Sequence, residues 1–254
     1  MKTLRLRSGG LAPSPLWGEG WGEGPRRKAY ELNRRQVVVK YRCLAIVFVA
    51  ITLAACESGP KVPDWSINAV GHVERFTEAY LKGDARVEAR EFELARAEVA
   101  RTGRPDLVAR VELNRCAAQV ASLVFEPCAG FEPLRADASD AERAYANYLA
   151  GQASAPDAAL LPPQHRAIAA GGAAIAGIED PFARLVAAGV LLRQTRATPD
   201  TVAQAVDTAS QQGWRRPLLA WLGVQARLAE ERGDANEAAR IRRRMDLVQP
   251  PSGQ

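Results

Sequence analysis

Gly83-Asp-Ala-Arg-Val-Glu-Ala-Arg90 and Gly233-Asp-Ala-Asn-Glu-Ala-Ala-Arg240 carry glycine, aspartate, two alanines and an arginine in the same register. A glycine can end a helix in the left-handed conformation, and an aspartate directly after it can cap the next helix with its carboxylate. Each stretch is therefore a turn between two helices. Alanine and leucine dominate the flanking sequence, β-branched runs are scarce and no period-2 alternation occurs, which predicts helix on both sides.

Working outward, the helix-breaking residues divide the chain. A first helix is expected over 65–81, ending at Gly83-Asp84. A second covers 85–102, with Ala85, Ala89, Phe92 and Val99 on one face, and stops at Gly103-Arg-Pro105. A third covers 106–124 and sets Leu113, Cys116, Ala117, Val120 and Val124 at helical spacing. Pro127 and Pro133 force a loop. Ser139-Asp-Ala-Glu142 is a capping box that opens a fourth helix carrying Tyr145, Tyr148 and Leu149. Gly151–Pro163 is expected to be the longest irregular segment, followed by a helix over 163–177 that Gly171-Gly172 weakens. Asp180-Pro181 and Thr198-Pro199 pair an N-cap with a first-turn proline and start helices to about Arg196 and Gln212. Pro217 opens another ending near Gly233, and Asp234 caps a last one to about Val248.

The chain's 254 residues are 47% hydrophobic and 25% charged, which excludes a collagenous, fully disordered or polytopic membrane protein. A net charge of +5 would invite a nucleic-acid partner, but the excess is local. Residues 1–55 hold ten Lys and Arg against three Asp and Glu, so 56–254 keeps 24 against 26, a net of −2. No nucleic-acid partner is expected.

Residues 43–55 are thirteen uncharged residues, a helix of about 20 Å, too short for a bilayer core of about 30 Å. Arg34, Arg35, Lys40 and Arg42 precede the run, so 34–55 has the layout of a signal peptide. It ends in Leu53-Ala54-Ala55-Cys56, which resembles the lipobox of bacterial lipoproteins. That resemblance implies cleavage between Ala55 and Cys56 and a covalent lipid on the Cys56 thiol, so the membrane is a partner through the anchor. Glu57, where an aspartate would retain an enterobacterial lipoprotein at the inner membrane, favours the outer membrane facing the periplasm by the same resemblance.

Residues 56–64 form a tether with one glycine and two prolines. The body is then 65–249, with a tail at 250–254. Residues 1–33 form a leader, disordered or not translated at all. Trp17-Gly-Glu-Gly20 repeats at once as Trp21-Gly-Glu-Gly24, and the string resembles a translated intergenic repeat element of proteobacteria. Translation is then expected to begin at Val37, Val38 or Val39.

Leu222, Ala226, Ala229, Gly233, Ala238 and Pro250 fall at spacings that resemble a tetratricopeptide repeat, although Arg242 stands where that family prefers an aromatic. The likeness covers one repeat. The expected fold class is all-α, antiparallel helix pairs forming a tetratricopeptide-like array or a helical bundle. Such a surface binds proteins or peptides, so a scaffolding lipoprotein of the envelope is the leading expectation. The alternative is an envelope enzyme such as a peptidoglycan-active hydrolase, which would need two facing carboxylates.

With Cys43 removed and Cys56 lipidated, Cys116 and Cys128 remain in an oxidising compartment. A disulfide between them is expected, the alternative being two buried thiols. His72 and His165 stand apart, with no metal-binding spacing, nucleophile elbow or phosphate loop. No catalytic, cofactor-binding or metal-ligating residue and no small-molecule substrate are therefore assigned. Glu91, Glu93, Glu98, Asp137, Asp140 and Glu142 are expected on solvated faces and caps, and Glu237 is expected to pair with Arg240. Arg240, Arg242, Arg243 and Arg244 form a basic cluster that is expected to favour the carbonyl end of the last helix rather than to meet anionic lipid head groups. Trp214 and Trp221 are expected to pack in the core between helices, Trp214 being the better candidate of the two for a partner-facing aromatic.

Overall fold

The computed structural model describes residues 62–249. Its helices are α1 (Asp64–Lys82), α2 (Ala85–Ala100), α3 (Pro105–Ala121), α4 (Asp140–Leu149), α5 (Ala155–Leu160), α6 (Pro163–Ala169), α7 (Pro181–Arg193), α8 (Pro199–Gln212), α9 (Arg215–Glu231) and α10 (Ala235–Val248). A 3-10 turn, Glu132–Leu134, interrupts the loop after α3. Among the described residues the fold is all-α, built on antiparallel pairs. The signal peptide, Ala55, Cys56 and most of the tether lie outside the described residues, as does the tail.

The two matching turns form alike. Gly83 and Gly233 take φ of 84° and 74°. The amide after each bonds back to an open carbonyl, Asp84 to Ala79 and Asp234 to Ala229. Each aspartate then accepts from the amide three residues on, Val87 at 3.1 Å and Glu237 at 2.9 Å. The caps at Ser139, Asp180 and Thr198 also form as their sequences predict.

Boundaries differ where tertiary contacts override local signals. α9 starts at Arg215 rather than at Pro217, so the proline lies inside the first turn. α3 ends at Ala121, before the predicted Val124, because Leu123 turns left-handed at φ 62°. The expected helix over 163–177 stops at Ala169; the carbonyls of Gly171 and Gly172 accept from Arg196. The segment 151–163 is not wholly irregular. It holds α5, whose start is tied by the Ser154 amide and hydroxyl donating to Asp157 at 2.8 and 2.9 Å.

Of the two architectures expected, the packing is that of a bundle. In a solenoid each unit touches only its neighbours. Here α3 packs on α7, and α1 on α9, across most of the domain. Trp214 is buried and donates to Glu78 on α1 at 2.9 Å, so it faces this seam and not a partner. Arg216 stacks over the Tyr80 ring at 4.1 Å beside it. Trp221 is fully buried and donates to the Ala121 carbonyl at 3.1 Å, which satisfies an open end of α3.

α2 is oriented differently from the expectation. Its buried face runs through Glu88, Phe92, Ala95 and Val99, while Ala85 and Ala89 are exposed. Phe76 of α1 meets Phe92 edge-on at 5.5 Å. Buried carboxylates of this region are matched across helices. Arg115 donates to Glu88 at 2.9 Å and Arg96 to Glu112 at 2.8 Å, a reciprocal lacing of α2 to α3. Glu98 is also buried, so the solvated face expected for it is wrong, and Glu142 makes the cap expected of it but from a buried position.

Gly189 makes the α3–α7 contact possible. A Cβ there would overlap the Val120 carbonyl oxygen and Cγ1. Gly189→Ala is expected to destabilise the protein by about 2 kcal/mol in urea unfolding, because overpacking outweighs the gain in helix propensity. Gly223→Ala on α9, where a Cβ meets nothing closer than 4.0 Å, is the control and is expected to be neutral or stabilising. Equal effects at both sites would contradict the close approach.

Candidate functional site

A cleft of about 450 Å³ lies between α3, α4 and the elbow joining α5 to α6. That is within the size range of ligand pockets. α3 supplies Arg110, Leu113 and Asn114; α4 supplies Glu142 and Tyr145. The elbow supplies Leu160, Leu161, Pro162, Pro163 and, one helical turn on, Arg166. The capping box places Glu142 at the start of α4, and the two prolines force the elbow that closes the far wall.

Glu142 is committed to structure. It accepts from the Ser139 amide at 2.9 Å, from the Ser139 hydroxyl and from Arg110 Nε at 2.6 Å. Burial works against its charge, yet these bonds outweigh it and hold the carboxyl below its ordinary value. It therefore stays ionised near neutrality. Arg166 is anchored the same way, with Nε donating to the Leu161 carbonyl at 2.8 Å. Asn114 donates to Thr77 at 2.6 Å.

Behind Tyr145 sits an aromatic cluster. Its ring lies 6.1 Å from Tyr148 and 5.8 Å from His165, and the last two are 4.9 Å apart. The Tyr148 hydroxyl and His165 Nδ1 are buried and find no hydrogen-bond partner among the described residues. Burial pushes both phenols up, and drives the His165 imidazole down to about 4 against a small opposing pull from Asp180. His165 is thus a neutral packing residue.

Cys116 and Cys128 come within bonding distance, their Cα atoms 5.8 Å apart as a disulfide requires. The bond would tie α3 to the loop that carries Gly130, where any side chain would collide with Glu112. His72 does not join His165; it bonds Glu91 at 2.6 Å at the α1–α2 seam, and Arg75 holds the same carboxylate at 2.7 Å. Glu237 pairs with Arg240 as expected, and Arg242 reaches Glu230. Among the described residues no three His, Cys, Asp or Glu gather as a metal site, and no helix is long and apolar enough to cross a membrane.

Arg110 and Arg166 were not distinguishable in the sequence. Arginine is common on these helices, and the approach of Arg110 to Glu142 spans 32 positions. The double proline at 162–163 was the one local sign of the elbow. Compared with known protein families, with curated proteins and with solved structures, the chain matches none.

The unfolded-state imidazole takes up its proton near pH 6.5, whereas the buried one waits until about 4. Stability is accordingly full above pH 6.5 and falls as pH drops toward 4, by on the order of 3 kcal/mol. His165→Phe is expected to keep the ring packing and flatten urea-unfolding stability between pH 7 and 4 by about that amount. An unchanged pH slope would contradict the assignment.

Proposed function

We propose that the protein is a lipid-anchored component of a bacterial envelope whose helical body is a protein- or peptide-binding module. The observation that carries the anchoring is Leu53-Ala54-Ala55-Cys56 at the end of a thirteen-residue apolar run. Cys56 would be the lipidated first residue, held at the outer membrane, and its acyl chains contribute roughly 0.8 kcal/mol per buried CH₂. Seven residues, 57–63, separate Cys56 from the first helical residue, Asp64, so that residue can lie no more than about 30 Å from the anchor.

The cleft supports the binding half of this reading. Its walls are largely apolar, and its polar groups converge from three elements. A carboxylate-pair hydrolase would need a second carboxyl facing Glu142. The cleft has Glu142 alone, already held ionised, and this favours the binding module over the hydrolase. The α9–α10 pair, whose seam buries Leu222, Ala226, Ala229 and Ala238, supports a repeat-like origin for that pair.

Metabolic labelling with palmitate tests the anchor. Wild type is expected to incorporate label and float with outer-membrane fractions, whereas Cys56→Ser is expected to lose the label and accumulate as a larger, unprocessed form. An unlabelled wild-type protein, free in the cytosol, would overturn the proposal.

A further inference from the structure

The two arginines of the cleft share one arrangement. Arg110 and Arg166 are each fixed through Nε, to Glu142 and to the Leu161 carbonyl. In neither case does an Nη group make a hydrogen bond among the described residues. Anchoring at Nε orients a guanidinium while leaving its outer nitrogens available, the edge that can hold a carboxylate with two parallel bonds. Glu142 balances one of the two cations, so the cleft keeps one positive charge in excess.

The remaining lining fits an apolar residue next to that anion. The apolar surface open in the cleft is that of Pro162, Pro163 and the half-buried Tyr145, with Leu160 standing 45% exposed at the rim, while Leu113 and Leu161 back it from within the core. Asn114 donates its amide to Thr77 and keeps its carbonyl oxygen open to a donor. The Tyr145 hydroxyl makes no hydrogen bond among the described residues. Backbone N–H and C=O groups of a bound chain would therefore find partners, which an acyl chain would not need.

We propose that this cleft captures the carboxyl-terminal end of a peptide, the last apolar side chain against Leu160, Pro163 and Tyr145 and the free carboxylate between Arg110 and Arg166. The inference deepens the binding role proposed above and rests on it. The occupant is a peptide end because the excess cation asks for an anion, the wall for an apolar group beside it, and Asn114 for an N–H.

The test uses full-length protein in detergent and an array of mixed-sequence peptides ending in apolar residues, made with free carboxyl ends and again as amides. Binding to free-carboxyl peptides is expected, weakened at least about tenfold by amidation and by Arg166→Gln, as loss of a charge-assisted bond implies. Arg110→Gln is the second variant, with helix content by circular dichroism checking that both are folded. Equal binding of the amides, indifference to both substitutions, displacement by laurate alone, or no binding at all would overturn it. A photo-crosslinker at Ala141, compared with one at Gln211 on α8, separates the two failures. A partner trapped only from Ala141 without carboxyl dependence leaves the cleft as a docking surface and sinks this inference. No partner from either position sinks the binding role as well.

Discussion

The C-terminal turn of α3 is held in a niche that only particular neighbours can make. Gly189 lets α7 approach the Val120 carbonyl, and Trp221 of α9 donates to the Ala121 carbonyl from the other side. One absent side chain and one indole N–H thus fix α3 against two helices distant in sequence. A buried carbonyl left open there would cost about 1–3 kcal/mol, so the niche is specific in both shape and hydrogen bonding. Just past the helix Leu123 takes the left-handed conformation normally left to glycine, and the amides of Leu123 and Val124 close the helix end on the Val120 and Gln119 carbonyls.

Because α3 is fixed at that end, its other faces become platforms. Toward α2 it carries Glu112 and Arg115, which exchange ion pairs with Arg96 and Glu88. Toward α4 it presents Arg110, Leu113 and Asn114 as one wall of the cleft. Each buried carboxylate in this region has a guanidinium partner that reaches outward to solvent. That arrangement limits the desolvation penalty of the pair, since the arginine keeps part of its hydration. The disulfide-bonded loop and Gly130 then close over Glu112.

Local chemistry was legible in the sequence where it is written in neighbouring residues. The two Gly-Asp turns, the Ser139-x-x-Glu142 box and the Asp180-Pro181 and Thr198-Pro199 starts needed no tertiary information. Helix orientation was less legible. An Ala85/Ala89/Phe92 stripe and a Glu88/Phe92/Ala95 stripe fit one helical period equally well, and partners on other helices, Phe76 and Arg115 among them, go with the second. The end of α3 was hidden because a leucine there takes a glycine's role. The cleft was hidden because its walls come from three separated segments, and although the core placement of Trp214 was legible, its partner Glu78, 136 positions away, was not. The cysteine pair was legible from what remains once Cys43 and Cys56 are assigned to the signal peptide and the anchor, and its two members do come together.

Native-state hydrogen exchange on the intact protein tests most directly whether α3 is clamped between α7 and α9. The account predicts that amides of 110–120 and 185–192 are the slowest in the domain and exchange with one common free energy, through global unfolding alone. If the α3 amides exchanged orders of magnitude faster while those of α7 stayed protected, the clamp would not be the constraint that organises this fold.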